Sequence, residues 1–124
     1  YTTQIDGGEC TVNQIARHMR EELEELLHAS RVGHQHAYER SCPVYKGACV
    51  EDGKGTVHVL AGAAGYEIDT TAFSAACGNW SQSHVNAYGH LRVAVGPERM
   101  QLQFVLNANG AVYDEATVSL WEEE

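Results

Sequence analysis

Between Thr11 and Ala29 the apolar side chains Ile15, Met19, Leu23, Leu26 and Leu27 recur at three- and four-residue steps. Glu21, Glu22, Glu24 and Glu25 take positions between them. Thr11-Val12-Asn13-Gln14 precedes the run, with a hydroxyl at the cap and a glutamine three residues on. This spacing predicts an amphipathic helix to about Ala29, with the glutamates as its solvated face. Tyr1 to Glu9, polar and carrying Gly7-Gly8, reads as an exposed loop. Gly33 to Arg40 breaks the helical period.

Farther on the period shortens to two. Val57, Val59 and Leu60 mark a strand over Thr56 to Gly62, in which alternation turns His58 outward. Gly62 and Gly65 predict a tight loop beyond it. Asp69 to Asn86 shows no clear period and reads mostly as loop. Tyr88 to Val95, Met100 to Asn107 and Ala111 to Val118 form three alternating stretches. Gly96-Pro97-Glu98-Arg99 and Asn107-Ala108-Asn109-Gly110 supply turns between them, so the three predict an antiparallel meander. Met100, Leu102, Phe104 and Leu106 form its dry side, and Gln101 and Gln103 its wet side. Tyr88, Phe104 and Trp121 read as core aromatics, Asp114 and Glu115 as a turn or solvent pair. The expected fold class is α+β, with one N-terminal amphipathic helix followed by mostly antiparallel strands. With no repeat or low-complexity linker, residues 1–124 read as a single domain.

Charge narrows the partners. Eight Lys and Arg stand against 17 Asp and Glu, a net charge of -9. A phosphate-backbone partner needs clustered cations, so nucleic acid is not expected, and neither is an anionic membrane surface. The longest weakly polar run, Val57 to Tyr66, holds His58 and two glycines and is too short to span a bilayer. No secretory signal is visible, and an opening on Tyr1 rather than Met suggests a processed chain or a fragment. Cys42 and Cys49 flank a segment with a central Lys46-Gly47. They suit a small hairpin closed by a disulfide, which would imply an oxidising compartment, or else two buried thiols. Cys10 and Cys77 show no partner signal.

The candidate chemistry lies in Gly33-His34-Gln35-His36-Ala37-Tyr38-Glu39-Arg40-Ser41. Two histidines one residue apart face opposite sides of an extended strand, or converge in a turn after glycine. Either arrangement suits a metal, because neutral imidazole is a common nitrogen donor to zinc and iron. Two surface histidines are the plainer alternative. A tetrahedral zinc site from His34, His36, Cys42 and Cys49 is a further one. His28 closes the predicted helix, where a cation is favoured. His84 and His90 could approach a cleft.

That string, followed by Cys42-Pro43-Val44-Tyr45, resembles the last metal-binding motif of the purple acid phosphatases, binuclear enzymes of the calcineurin-like metallophosphoesterase superfamily. Gly55-Thr56-Val57-His58-Val59-Leu60-Ala61-Gly62-Ala63-Ala64-Gly65 is similar to the strand and glycine-rich loop that follow it there. Ala87-Tyr88-Gly89-His90-Leu91-Arg92-Val93 and Gly110-Ala111-Val112-Tyr113-Asp114 resemble the family's C-terminal segment. Tyr1-Thr2-Thr3-Gln4 resembles the stretch just after an earlier ligand histidine. The resemblance implies the C-terminal part of an α/β metallophosphoesterase sandwich. It implies hydrolysis of phosphate monoesters in acid, with His34 on the divalent ion and His36 on a ferric ion. The divalent ion would be Zn2+, Mn2+ or Fe2+, and the location secreted or vacuolar.

Two departures accompany the resemblance. The family's upstream ligands (aspartates, a tyrosinate, an asparagine and another histidine) have no matching motif in this chain. A hard ferric ion wants anionic oxygen, which two imidazoles do not offer. Moreover, only Arg31-Val32 separate Ser30 from Gly33, where the family places an apolar strand. These departures support an alternative: a truncated, non-catalytic module that self-associates through an exposed sheet or helix face.

Overall fold

The computed structural model describes residue 3 and residues 5–6, 9–10, 29–32 and 35–119. Its strands are β1 (Ile5–Asp6), β2 (Glu9–Cys10), β3 (Ala29–Val32), β4 (Tyr38–Tyr45), β5 (Ala48–Cys49), β6 (Thr56–Ala61), β7 (Ser81–Val85), β8 (Gly89–Val95), β9 (Arg99–Leu106) and β10 (Val112–Ser119). β1 and β2 pair with each other. The rest form two sheets. One is five-stranded, ordered β3-β6-β4-β5 with β7 also on β4; the other is ordered β10-β9-β8.

The α+β expectation is corrected here. Among the described residues there is no α-helix, and the helical turn is a 3-10 segment, Ala75–Cys77. The predicted helix lies outside the described residues except at its end, Ala29, which opens a strand. The strand that seemed to be missing before Gly33 is the same one. β3 runs parallel to β6, with Ala29 opposite Val57 and Val32 opposite Leu60. Four residues suffice because ladder pairing, not side-chain alternation, holds so short a strand. Among the described residues no helix is long and apolar enough to cross a membrane.

The meander stands as expected. β8 and β10 flank β9, both antiparallel to it. Between Asp69 and Asn86, however, β7 pairs antiparallel with β4, Tyr38 against Val85 and Arg40 against Ser83. A strand of Ser81-Gln82-Ser83-His84-Val85 has almost no apolar alternation to show, since β4 holds it through the backbone. β4 meets β6 along one edge. Its other edge therefore receives β7 at one end and β5 at the other. The β4–β5 hairpin turns on Lys46 and Gly47, both at positive φ. A two-residue loop with that backbone matches the twist of its strands. The Cys42–Cys49 disulfide closes it, with Cα atoms 5.7 Å apart. Cys77, for which the sequence shows no partner signal, is also disulfide-bonded.

The core lies between the sheets. Tyr38, Val57 and Val59 meet Leu102, Phe104 and Val118, and Ala63 joins them from the loop after β6. The Tyr38 and Phe104 rings stack with centroids 4.0 Å apart. Gly89 opens β8 beneath this stack, and its N–H donates to the Ala63 carbonyl at 3.0 Å. A Cβ there would lie 2.4 Å from the Phe104 ring, so only glycine fits. Phe104 is core as expected, whereas Tyr88 is 45% exposed and Trp121 lies outside the described residues. His58 does not face outward: β6 is buried on both faces, and His58 is only 9% exposed. A strand between two neighbours and under a second sheet has no wet side for alternation to report.

Candidate metal-ligand loop

The parallel pair positions the candidate site. β3 and β6 end side by side, and the chain bends through residues 35–37 before entering β4. Ligands of open sheets gather beyond such carboxyl ends, where loops diverge. His36 sits in this bend, half-buried. Its N–H donates to the Asp69 carboxylate at 2.9 Å, and its carbonyl accepts from the Asp69 N–H at 3.0 Å. One aspartate thus clamps both polar groups of the histidine's backbone, one of them through a charge-assisted bond. The next residue, Ala37, is fully buried, and its carbonyl accepts from the Gly62 N–H at 3.0 Å. The imidazole itself meets the edge of the Tyr66 ring, with centroids 5.2 Å apart. The result is a ring on a rigid backbone, flanked by an aromatic that is 76% exposed.

Three residues beyond His36, the buried carboxylate of Glu39 gathers a distant segment. It accepts the Thr3 N–H on both oxygens, at 3.1 and 2.9 Å, and the Thr3 hydroxyl as well. The Thr3 carbonyl in turn accepts from the Ser74 N–H at 2.8 Å. A carboxylate this deep needs such donors, because burial without them is costly. Glu39 therefore ties Thr3 to the strand that His36 enters.

Arg40 and Tyr38 connect the same strand to the second sheet. Arg40 Nε and Nη2 grip the Asp114 carboxylate at 2.6 and 2.9 Å, and the Tyr38 hydroxyl donates to it at 2.6 Å. A bulge between Val112 and Asp114 sets Asp114 opposite Phe104, on the inner side of β10. Asp114 is therefore not a turn or solvent residue. Glu115 does face solvent, where it accepts from Gln101 and Gln103. Burial pushes the Asp114 carboxyl up, but the bonds from Arg40 and Tyr38 outweigh it and hold the group below the usual carboxylate range. Burial, then the bond to Asp114, raises the Tyr38 phenol well above its ordinary value. Tyr38 stays a neutral donor.

The remaining histidines are dispersed. His34 lies outside the described residues, as do His18 and His28. His84 stacks on Phe73 and meets the Ser81 hydroxyl at 3.0 Å. His90 meets the Asn107 side-chain oxygen at 3.2 Å on the other sheet. The disulfide removes Cys42 and Cys49 as zinc donors, which excludes the four-residue zinc site. Among the described residues no cluster of three or more His, Cys, Asp or Glu could hold a metal ion. Sequence reading missed Asp69 and Glu39. Asp69 had no periodic context, and Glu39 lay inside a motif whose histidines drew the attention.

Residues 55–115 match the family model described as iron/zinc purple acid phosphatase-like protein C. The chain is 32% identical over 113 residues to "Probable inactive purple acid phosphatase 27" of Arabidopsis thaliana, covering 80% of this chain and 18% of that protein. It is 31% identical over 113 residues to a "Nucleotide pyrophosphatase/phosphodiesterase" of Hordeum vulgare, covering 80% of this chain and 30% of that one. The fold superposes on purple acid phosphatase PPD1 from yellow lupin seeds with a TM-score of 0.73 at 23% identity. That match covers 98% of this chain and 23% of the lupin chain. The chain thus spans less than a third of the length of these relatives.

Proposed function

Because the chain belongs with the C-terminal part of the purple acid phosphatase family, we propose that it supplies two imidazole donors, His34 and His36, to a binuclear metal centre that hydrolyses phosphate monoesters. The donors present here do not fit a ferric–divalent pair by themselves. No third His, Cys, Asp or Glu joins His36 among the described residues, and a ferric ion needs anionic oxygen. The centre would be completed by polypeptide outside residues 1–124. Bound there, a ferric ion and a Zn2+, Mn2+ or Fe2+ partner would neutralise charge on the phosphate oxygens.

The observation that carries this reading is the double clamp of Asp69 on the His36 backbone, at the carboxyl ends of the parallel pair. A metal donor must be held close to its productive position, and a backbone fixed through both N–H and C=O provides that. The Tyr66 ring packs against the imidazole at a steep angle. The Cys42–Cys49 disulfide supports a secreted or vacuolar location.

A second reading rests on the relatives, four of which are named "probable inactive". Under it the chain is a non-catalytic module. It would self-associate through an exposed face of the sheet. Hydrolysis of p-nitrophenyl phosphate in mild acid, with iron and zinc supplied, separates the two. Within a longer polypeptide containing these residues, turnover should be strong and collapse in His36→Ala. An inert longer polypeptide would favour the second reading, and turnover indifferent to His36→Ala would remove the metal role.

A further inference from the structure

Asn79-Trp80-Ser81 is the one Asn-x-Ser/Thr triplet in the chain: Asn13, Asn86, Asn107 and Asn109 lack a serine or threonine two residues on. The triplet bridges the 3-10 turn and β7. Its three residues have different surroundings. Asn79 is exposed, while Trp80 is half-buried and turned back over Gly78. A Cβ on Gly78, whose φ is +150°, would lie 2.1 Å from the indole, so the ring covers the glycine and leaves the asparagine outside. Ser81 opens β7, opposite Ser41. The segment is also firmly tied. Cys77, two residues before Asn79, is disulfide-bonded. The Trp80 carbonyl accepts from the Cys42 N–H at 2.8 Å, and Cys49 Sγ lies 3.9 Å from the Asn79 carbonyl oxygen.

We propose that Asn79 is an N-glycosylation acceptor. The disulfides place folding in an oxidising lumen, where the modification is made, so the inference rests on the secreted or vacuolar reading. The donor is an oligosaccharide on a lipid diphosphate. Asn79 Nδ2 bonds to the anomeric carbon as the anomeric C–O bond to the diphosphate breaks. Nδ2 loses one proton, and the lipid diphosphate leaves. In the folded protein the sugar would project from an exposed carboxamide and displace no packed side chain. It would stand at the entry to β7, on the outer edge of the five-stranded sheet, where unpaired backbone otherwise invites edge-to-edge pairing.

The test expresses the chain behind a secretion leader in a eukaryotic host and reads the Asn79 peptide by tandem mass spectrometry. The secreted peptide should carry a glycan, and peptide N-glycosidase should convert Asn79 to aspartate. Asn79→Gln and Ser81→Ala should abolish the modification, and Ser81→Thr should keep it. A secreted, disulfide-bonded chain with an unmodified Asn79 overturns the proposal, as does a glycan that persists in Ser81→Ala. If a variant is not secreted, the wild-type peptide decides alone. Neither result involves metal or phosphatase activity, so failure here leaves the proposed function untouched.

Discussion

Asp114 illustrates how a residue can be misjudged from its neighbours in sequence. Beside Glu115 and near a glycine turn it resembles a solvent pair, yet one bulge in β10 sends it inward to Arg40 and Tyr38. Removing one partner strands the other charge between the sheets. Asp114→Ala should therefore cost about 3 kcal/mol in urea unfolding. Its carboxyl is held below its unfolded value, so the stability it lends is present above the unfolded pKa. That stability is lost as pH falls through the folded value. Wild type should lose stability on acidification below about pH 4, and Asp114→Asn should show a flatter profile there. At Gly89 the constraint is steric: Gly89→Ala drives a methyl into Phe104 and should cost roughly 1–3 kcal/mol of stability, read as a lower urea midpoint. Neither Glu39 nor Asp69 was legible beforehand, because their roles are set by partners 36 and 33 residues away.

At the scale of elements, legibility followed solvent exposure. β8, β9 and β10 have one wet face, and their alternation announced them within a residue or two. The β4–β5 hairpin was readable through Lys46-Gly47 between two cysteines. Where strands are buried on both faces or held by backbone pairing, side-chain pattern is silent: β6 misplaced His58, and β7 and β3 went unseen. The apolar spacing before Ala29 suggested a helix as far as that residue, but Ala29 belongs to the parallel ladder with β6. The hairpin disulfide closes a short loop, so its removal in a Cys42→Ser, Cys49→Ser double variant should cost about 2 kcal/mol. Circular dichroism through thermal unfolding would show the loss as a lower Tm with an unchanged β spectrum.

Over the whole molecule, two sheets enclose one core, and the His36 loop lies at the carboxyl ends of the parallel pair. The family was legible from the Gly33–Ser41 string and the ordered segments after it. What the string could not convey is how the loop is held, since that depends on Asp69 and on the return of Gly62 to Ala37. The donor set proposed for these residues is partial, so the isolated chain should hydrolyse no p-nitrophenyl phosphate even with iron and zinc supplied. Imidazole response to zinc, read by long-range proton–nitrogen NMR of the histidine rings, tests the central claim most directly and needs no turnover. The rings of His34 and His36 should shift first and together, at zinc concentrations that leave His84 and His90 unmoved. If His36 responds no earlier than those two rings, the loop is not a metal-donating one.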